Sequence, residues 1–263
     1  MKLNISLKNR TALVCGASKG IGKAIAFRLA DLGANVIMCA RSESILKHNQ
    51  FELHNENQNH NYIVADSSDP YDFDQKVKSI INTGINIDYL INNSGGPQPG
   101  LLHKADPDEL LSAFRQHVML SHLLTQTVVP SMKSNGFGRI INIVSISVRQ
   151  PIDNLGVSNT IRGAMQSWAK TNARELAPFG ITVNNVLPGY TNTERFQSLM
   201  QNTSISRDIP LSQVQNNIIE GIPAGRLGEP EEPAYLVAFL CSEFASYING
   251  VQIPVDGGFL RAL

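Results

Sequence analysis

The sequence predicts a single α/β domain: a doubly wound parallel sheet with helices on both faces, in three layers. Three observations predict it. Short apolar runs alternate with helix-period segments along the whole 263 residues. Such connections cross over between parallel strands and cover both sheet faces with helices. A glycine-spaced segment, Gly16-x3-Gly20-x-Gly22, stands between the first run and the first helix. Gly16, Asp66, Asn93, Ser145 and Gly189 stand at or just past the ends of five runs. They should line one sheet edge, beyond the carboxyl ends of the strands, where ligands bind in such sheets. No composition shift or internal repeat divides the chain, so residues 1–263 read as one domain.

The elements follow in order. Thr-Ala-Leu-Val-Cys at residues 11–15 is a short apolar run stopped by glycine, as in a buried strand. Ile21, Ile25, Leu29 and Leu32 have helical spacing and Gly33 ends the pattern, so 21–32 is a helix. Residues 34–40 form the second strand. From 42 to about 60 the chain is polar and asparagine-rich, which predicts an irregular helix and loop. Residues 62–65 are the third strand, and 70–83, opened by Pro70, the next helix. Residues 87–91 are the fourth strand, which leads into Asn92-Asn93-Ser94-Gly95-Gly96. Residues 107–134 read as one long helix, 139–144 as the fifth strand and 155–177 as a second long helix. The sixth strand, 181–186, is stopped by Pro188-Gly189. Residues 193–221 are polar with scattered Phe196, Leu199, Met200, Ile205, Ile209 and Leu211, a mobile helical insertion that covers a pocket. A helix at 231–242 and a strand at 250–255 close the domain.

Composition excludes several classes. Formal net charge is zero and no basic tract occurs, so neither nucleic acid nor an anionic membrane is an expected partner. No apolar run approaches a membrane span, and the N-terminus lacks the apolar core of a signal peptide. The expected location is cytoplasmic. Cys15, Cys39 and Cys241 are odd in number and lack CxxC spacing, so buried free thiols are expected. His48, His54, His60, His103 and His122 show no ligand spacing, and no metal site is expected.

The glycine segment carries a mechanism. One glycine makes the tight turn, one lets backbone approach a pyrophosphate, and one permits close helix–strand packing. The phosphates then meet the free N–H groups and positive end of the helix. A bare glycine turn is the alternative, and the flanking strand and helix weigh against it.

Gly-x3-Gly-x-Gly spacing, rather than Gly-x-Gly-x2-Gly, resembles the short-chain dehydrogenase/reductase family. The resemblance runs the whole length. Asn92-Asn93-Ser94-Gly95 is similar to the family's Asn-Asn-Ala-Gly. Pro188-Gly189 with Thr193 resembles its Pro-Gly-x3-Thr. Gly225-Arg226-Leu227-Gly228, Glu229-Pro230-Glu231-Glu232 and Val255-Asp256-Gly257-Gly258 resemble its C-terminal signatures. The resemblance implies a Rossmann-type fold, a nicotinamide cofactor and an adenine contact at Asp66. It places the nicotinamide side at Pro188, Gly189 and Thr193. The expected cofactor set is Gly16, Ser18, Lys19, Gly20, Ile21, Gly22, Arg41, Asp66, Ser67, Asn93, Ser94, Gly95, Arg162, Pro188, Gly189, Thr191 and Thr193.

The second strand chooses the nicotinamide. An acidic residue at its end would hold a ribose 2′-OH and repel a 2′-phosphate. Ala40 stands there, followed by Arg41, and Lys19 adds a cation within the glycine segment. Two cations without a carboxylate predict NADP(H); the alternative is a pair of solvated surface charges.

The family's chemistry implies an Asn, a Ser, a Tyr thirteen residues after the Ser, and a Lys four after the Tyr. Here Ser145 fits, Ser158 stands at the Tyr position, Arg162 at the Lys position, and His117 at the Asn position. Ser145, Ser158, Arg162 and His117 are thus the candidate catalytic residues. An aliphatic hydroxyl is a far weaker acid than a phenol, so Ser158 is no direct replacement. Arg162 retains the positive potential but relays no proton readily. His117 has the ordinary pKa suited to proton donation near neutrality, unless it is a helix histidine with a solvent or backbone partner. Ser158 and Arg162 have a cofactor-positioning or structural alternative. Ser-Asn-x2-Arg-x-Gly at 158–163 resembles a subgroup described as oxidoreductases or 3-oxoacyl-carrier-protein reductase-like. Tyr190 and Arg149 are expected at the pocket mouth.

The resulting expectation is an NADP(H)-dependent oxidoreductase acting on a small carbonyl or alcohol substrate, a 3-oxoacyl compound included, with atypical proton delivery. The alternative is an inactive NADP(H)-binding protein acting as sensor or assembly subunit. The family resemblance implies a homo-oligomer, dimer or tetramer. Exposed apolar positions on the helix after Leu155 would suit one.

Overall fold

The computed structural model of the chain describes residues 4–261. Seven parallel strands form one sheet: β1 (Thr11–Cys15), β2 (Asn35–Ala40), β3 (Asn61–Val64), β4 (Tyr89–Asn92), β5 (Gly138–Ile143), β6 (Ile181–Pro188) and β7 (Gln252–Val255). Their order is β3-β2-β1-β4-β5-β6-β7. The direction of winding reverses between β1 and β4. That reversal opens a crevice at the strand C-termini, the usual ligand position in such sheets.

Side chains alternate across the sheet. On β1, Ala12 and Val14 face one core with Met38, Ile25, Leu29 and Val237. Leu13 and Cys15 face the other with Ile37, Leu90, Leu124 and Val183. The helices α1 (Gly20–Asp31) and α9 (Glu231–Cys241) cover the first face. The second lies under α3 (Pro70–Ile81), α5 (Leu120–Ser134) and α6 (Gly156–Leu176). Burial on both faces explains why the strands read as unbroken apolar runs. The three cysteines are buried and free.

Three segments differ from expectation. Residues 43–52 form a regular helix, α2 (Glu43–Glu52), seated by Leu46 and by a buried Asn49. The long helix expected at 107–134 is α4 (Pro107–Phe114) joined to α5 by a π turn at Arg115–Met119. The wider turn brings His117 and Val118 into the interior. The expected insertion resolves into α7 (Glu194–Arg207) and α8 (Leu211–Glu220). They close over a small core of Met200, Val214, Ile222 and Leu227.

Exposed apolar side chains are also placed differently. Leu111 and Phe114 on α4 are exposed, whereas no large apolar residue of α6 is. The apolar positions of α6, Val157, Ile161 and Met165, are buried against α4 and the loop after β5. Among the described residues, no helix is long and apolar enough to cross a membrane.

Candidate active site

The glycine segment is rigid because its neighbours bond to its backbone. Gly16 has a φ of +61°, which a side chain rarely adopts. A Cβ on Gly22 would stand 2.1 Å from the Gly16 carbonyl oxygen, so α1 begins in direct contact with the turn. Asn93 Nδ2 donates to the Cys15 and Gly16 carbonyls at 3.2 and 3.3 Å. Asn49 Nδ2 donates to the Ala17 and Ser18 carbonyls at 3.3 and 3.0 Å. The start of α1 has no side-chain cap and no acidic residue in its first turn. Its N–H groups and dipole therefore face the crevice, as an anion site requires.

Beside this turn lies the end of β2. Arg41 is exposed and follows Ala40, and both line the crevice. Lys19 also lines it and bonds Glu194 at the start of α7, Nζ to Oε2, at 2.5 Å. Asp66 accepts the Ser68 N–H at 3.0 Å, with Ser67 beside it on the same wall.

The crevice is one continuous cavity of about 1300 Å³. It runs from Arg41 past Gly16, Ser18, Gly20, Ile21, Gly22, Asn93, Ser94 and Gly95. It ends among Ser145, Ser158, Arg162, Pro188, Gly189, Thr191 and Thr193. Of the residues singled out for catalysis or cofactor binding, His117 is the one absent from this lining.

At the inner end, Ser145 follows β5 and its Oγ accepts the Ser147 N–H at 3.1 Å. Its own hydroxyl proton is free to point outward, and the accepted bond makes it a better donor. Ser158 and Arg162 are one helical turn apart on α6 and share a face. Arg162 is 9% exposed, and its Nη1 donates to the Ile143 carbonyl at 2.9 Å. Burial, with the like charge of Arg195, pushes its pKa down to about 10, so it stays cationic at neutrality.

His117 corrects one expectation. It lies beneath the crevice, 4% exposed, with Nδ1 2.7 Å from Ser94 Oγ. Nε2 has no partner. Burial first, then the Arg162 and Arg195 charges, hold its pKa well below the usual histidine value. It is a neutral ring that reaches the crevice through the Ser94 hydroxyl, and no imidazolium stands ready to donate near neutrality. Arg149 is a second correction: it is exposed, bonds Gln252 at 3.2 Å and does not line the crevice. Tyr190 does line it, packed edge-on to Phe259, and burial raises its phenol pKa. A raised phenol is a poor acid.

The buried imidazole has a measurable consequence. An unfolded histidine binds its proton near pH 6.5, whereas folded His117 does not. A depressed folded pKa gives stability that is present above about pH 6.5 and lost as pH falls. His60, whose pKa is also lowered by burial, acts in the same window. Each steepens the loss by at most about 1.4 kcal/mol per pH unit. Thermal unfolding of His117→Asn between pH 7 and 5 is expected to show a shallower acid slope than wild type. Equal slopes would mean that His117 protonates freely in the fold.

The residues present fit a phosphorylated dinucleotide. The glycine contact leaves no room for a side chain at Gly22. The α1 N–H groups have no side-chain cap among the described residues, and Arg41 stands just past β2, where a carboxylate would oppose a 2′-phosphate. Two residues that brace the walls of the crevice escaped the sequence. Asn49 had a signal, a polar residue at helical spacing from Leu46 and Leu53. Arg195 had none: it follows Thr193 in a segment without clear periodicity. Its Nη2 donates to the Gly96 and Pro97 carbonyls at 2.6 and 3.1 Å. The C-terminal signatures hold the segment from Tyr190 to Asn192, just before α7, in place. Asn192 N–H bonds the Gly228 carbonyl at 2.7 Å, Gly228 N–H bonds the Tyr190 carbonyl at 2.9 Å, and Arg226 forks onto Glu232. Among the described residues no cluster of His, Cys, Asp or Glu suits a metal ion.

The chain is similar to known proteins over almost its whole length. Residues 16–260 match the family model described as enoyl-(acyl carrier protein) reductase. The chain is 33% identical to the NADPH-dependent reductase BacG of Bacillus subtilis, over 98% of this chain and all of the relative. It is 34% identical to the 3-oxoacyl-[acyl-carrier-protein] reductase FabG of Vibrio cholerae, over 97% and 98%. Among solved structures, L-sorbose reductase of Gluconobacter frateurii, complexed with NADPH and L-sorbose, superposes with a TM-score of 0.93. That pair is 27% identical and covers 99% of this chain and 100% of the other. YwfH, an NADPH-dependent reductase involved in bacilysin biosynthesis, gives 0.89 at 33% identity, covering 97% and 99%.

Proposed function

The chain belongs to the short-chain dehydrogenase/reductase family, and from that premise we propose that it is an NADPH-dependent carbonyl reductase. The observation that carries this reading is the single cavity joining Arg41 and the glycine turn to Ser145, Ser158 and Arg162. NADPH supplies a hydride when bound. Gly16, Ser18, Gly20, Ile21 and Gly22 with the α1 N–H groups hold its pyrophosphate, and Arg41 and Lys19 its 2′-phosphate. Asp66 and Ser67 flank the adenine side, Asn93, Ser94 and Gly95 the middle. Pro188, Gly189, Thr191 and Thr193 hold the nicotinamide side.

The protein's own part is electrostatic. As the carbonyl oxygen gains charge, the Ser145 hydroxyl donates to it and the Arg162 cation lowers its energy. Arg162 and Ser158 also bond ribose hydroxyls and so orient the cofactor. The proton comes from water, because Ser158 is too weak an acid and His117 is neutral. The Ser94–His117 bond fixes the wall beside the reacting carbonyl. A 3-oxoacyl compound, as free acid or ester, is the narrower form of the reading, favoured by the likeness to FabG.

The test is NADPH consumption over a panel of ketones, 3-oxoacyl thioesters, oxo acids and quinones. Turnover above about 1 s⁻¹ on at least one, within the ordinary range of enzymes, is the expected result. Tight NADPH binding without turnover on any of them would overturn it in favour of a cofactor-binding protein.

A further inference from the structure

We propose that the substrate carries a carboxylate, and that Arg195 and Arg162 together receive it at Gly96. This rests on the carbonyl-reductase reading and names the substrate class: a free oxo acid rather than a neutral ketone or a thioester.

The geometry begins at Gly96. A Cβ placed there would stand 3.2 Å from Arg195 Nη2 and 3.6 Å from Arg162 Nη2. Two guanidiniums from different elements, α7 and α6, therefore converge on a point where this chain has no side chain. The charges of the same two guanidiniums are felt at His117, whose pKa they help to lower. Neither makes an ion pair with any carboxylate among the described residues; Arg195 is exposed and Arg162 is buried.

Like charges brought together without a counter-ion cost free energy, and burial of Arg162 raises that cost. The fold holds them with carbonyls: Ile143 for Arg162, Gly96 and Pro97 for Arg195. Those bonds use Nη1 of Arg162 and Nη2 of Arg195, so Arg162 Nη2 and Arg195 Nη1 have no protein acceptor among the described residues; Arg195 Nη1 would stand 3.4 Å from a Cβ on the adjoining Gly95. The acidic residues of the cavity wall are committed or set apart. Glu194 bonds Lys19, Asp66 accepts the Ser68 N–H, and Asp108 and Glu109 begin α4.

A carboxylate fits such a pair. It accepts from planar guanidinium forks in charge-assisted bonds. It also supplies the counter-charge that the two cations lack. Ser145 lines the same inner end of the cavity, so an oxo group near it and a carboxylate at Gly96 define a short oxo acid. Ile146, Ile152, Leu155, Phe196 and Leu199 supply an apolar wall for the remainder of the molecule. The reaction balances as a hydride to the carbonyl carbon and a proton from water to its oxygen. The C=O π pair moves onto that oxygen, leaving a hydroxy acid and NADP⁺.

The cofactor pyrophosphate is the other anion that the pair could meet, and the experiment separates the two. In the wild type, 2-oxohexanoate and 3-oxohexanoate are compared as substrates with their methyl esters. The acid is expected to be favoured by about 30-fold or more in kcat/KM. Arg195→Met should remove that preference, leave the ester within about threefold, and leave the NADPH Kd within about threefold. Arg195→Lys should recover part of it, since charge returns without the fork. A thirtyfold loss corresponds to about 2 kcal/mol. Equal losses on acid and ester, or a large rise in NADPH Kd, would overturn the proposal and give Arg195 to the cofactor or the loop. Hexanoate against hexanamide, titrated calorimetrically into the NADP⁺ complex, reads the site without turnover. Arg195-dependent binding of hexanoate in a protein that reduces nothing would sink the reductase reading and keep this one. No binding advantage of hexanoate over hexanamide would sink this one while ketone turnover keeps the other.

Discussion

Arg41→Glu is expected to raise the NADPH Kd by about 10²- to 10³-fold while moving the NADH Kd by less than about threefold. Arg41 is exposed, follows the last residue of β2, and lines the crevice without a carboxylate partner among the described residues. A charge-assisted bond to a 2′-phosphate contributes about 1.5–3 kcal/mol. Replacing the cation by an anion also adds repulsion in a partly screened position. NADH has no group there, so it reports the rest of the site. Lys19 is the weaker partner because Glu194 already holds it at 2.5 Å. Lys19→Ala should therefore cost only about tenfold, and Glu194→Gln should tighten NADPH severalfold by freeing the cation. Fluorescence titration with both cofactors at fixed salt checks all three. Parallel losses for NADPH and NADH would mean that Arg41 does not meet the phosphate.

Some of this was legible in the residues and some was not, for physical reasons. A strand buried on both faces leaves a continuous apolar run, so β1, β5 and β6 are readable within a residue or two at most ends. The glycine turn is readable because only glycine tolerates the 2.1 Å approach at Gly22. The π turn at Arg115–Met119 is not, since one extra residue per turn leaves α-like periodicity on either side. The burial of His117 follows from that turn, so the ordinary histidine pKa expected from its residue type is one that the fold does not allow. α7 lacks an apolar stripe: among its residues Met200 is the buried one. Arg195 thus had no face to be assigned to until the carbonyls of Gly96 and Pro97 fixed it. Convergent side chains from distant elements carry no signal in a single sequence.

Arg162→Met should be the most damaging single change at the reacting end, and it should not destabilise the protein. At saturating NADPH, kcat is expected to fall about 10²- to 10³-fold, the usual cost of removing one preorganised donor to a developing oxyanion, about 2.7–4 kcal/mol. Stability should move the other way. The Arg162 pKa, pushed down to about 10 by burial and by Arg195, marks a cation that the fold pays to keep. For a base with a depressed folded pKa, that cost is fully present at neutral pH and is relieved only as pH rises above about 10. Methionine removes the charge and keeps most of the volume. It leaves the Ile143 carbonyl without its donor, which costs about 1–3 kcal/mol. The net gain of about 1 kcal/mol should lift Tm by a few degrees. The His117 pKa should rise at the same time, because one of the two cations bearing on it is gone. Its imidazole resonances would then titrate closer to pH 6.5. A fall in Tm with kcat unchanged would make Arg162 a structural residue and leave Ser145 to stabilise the alkoxide without it.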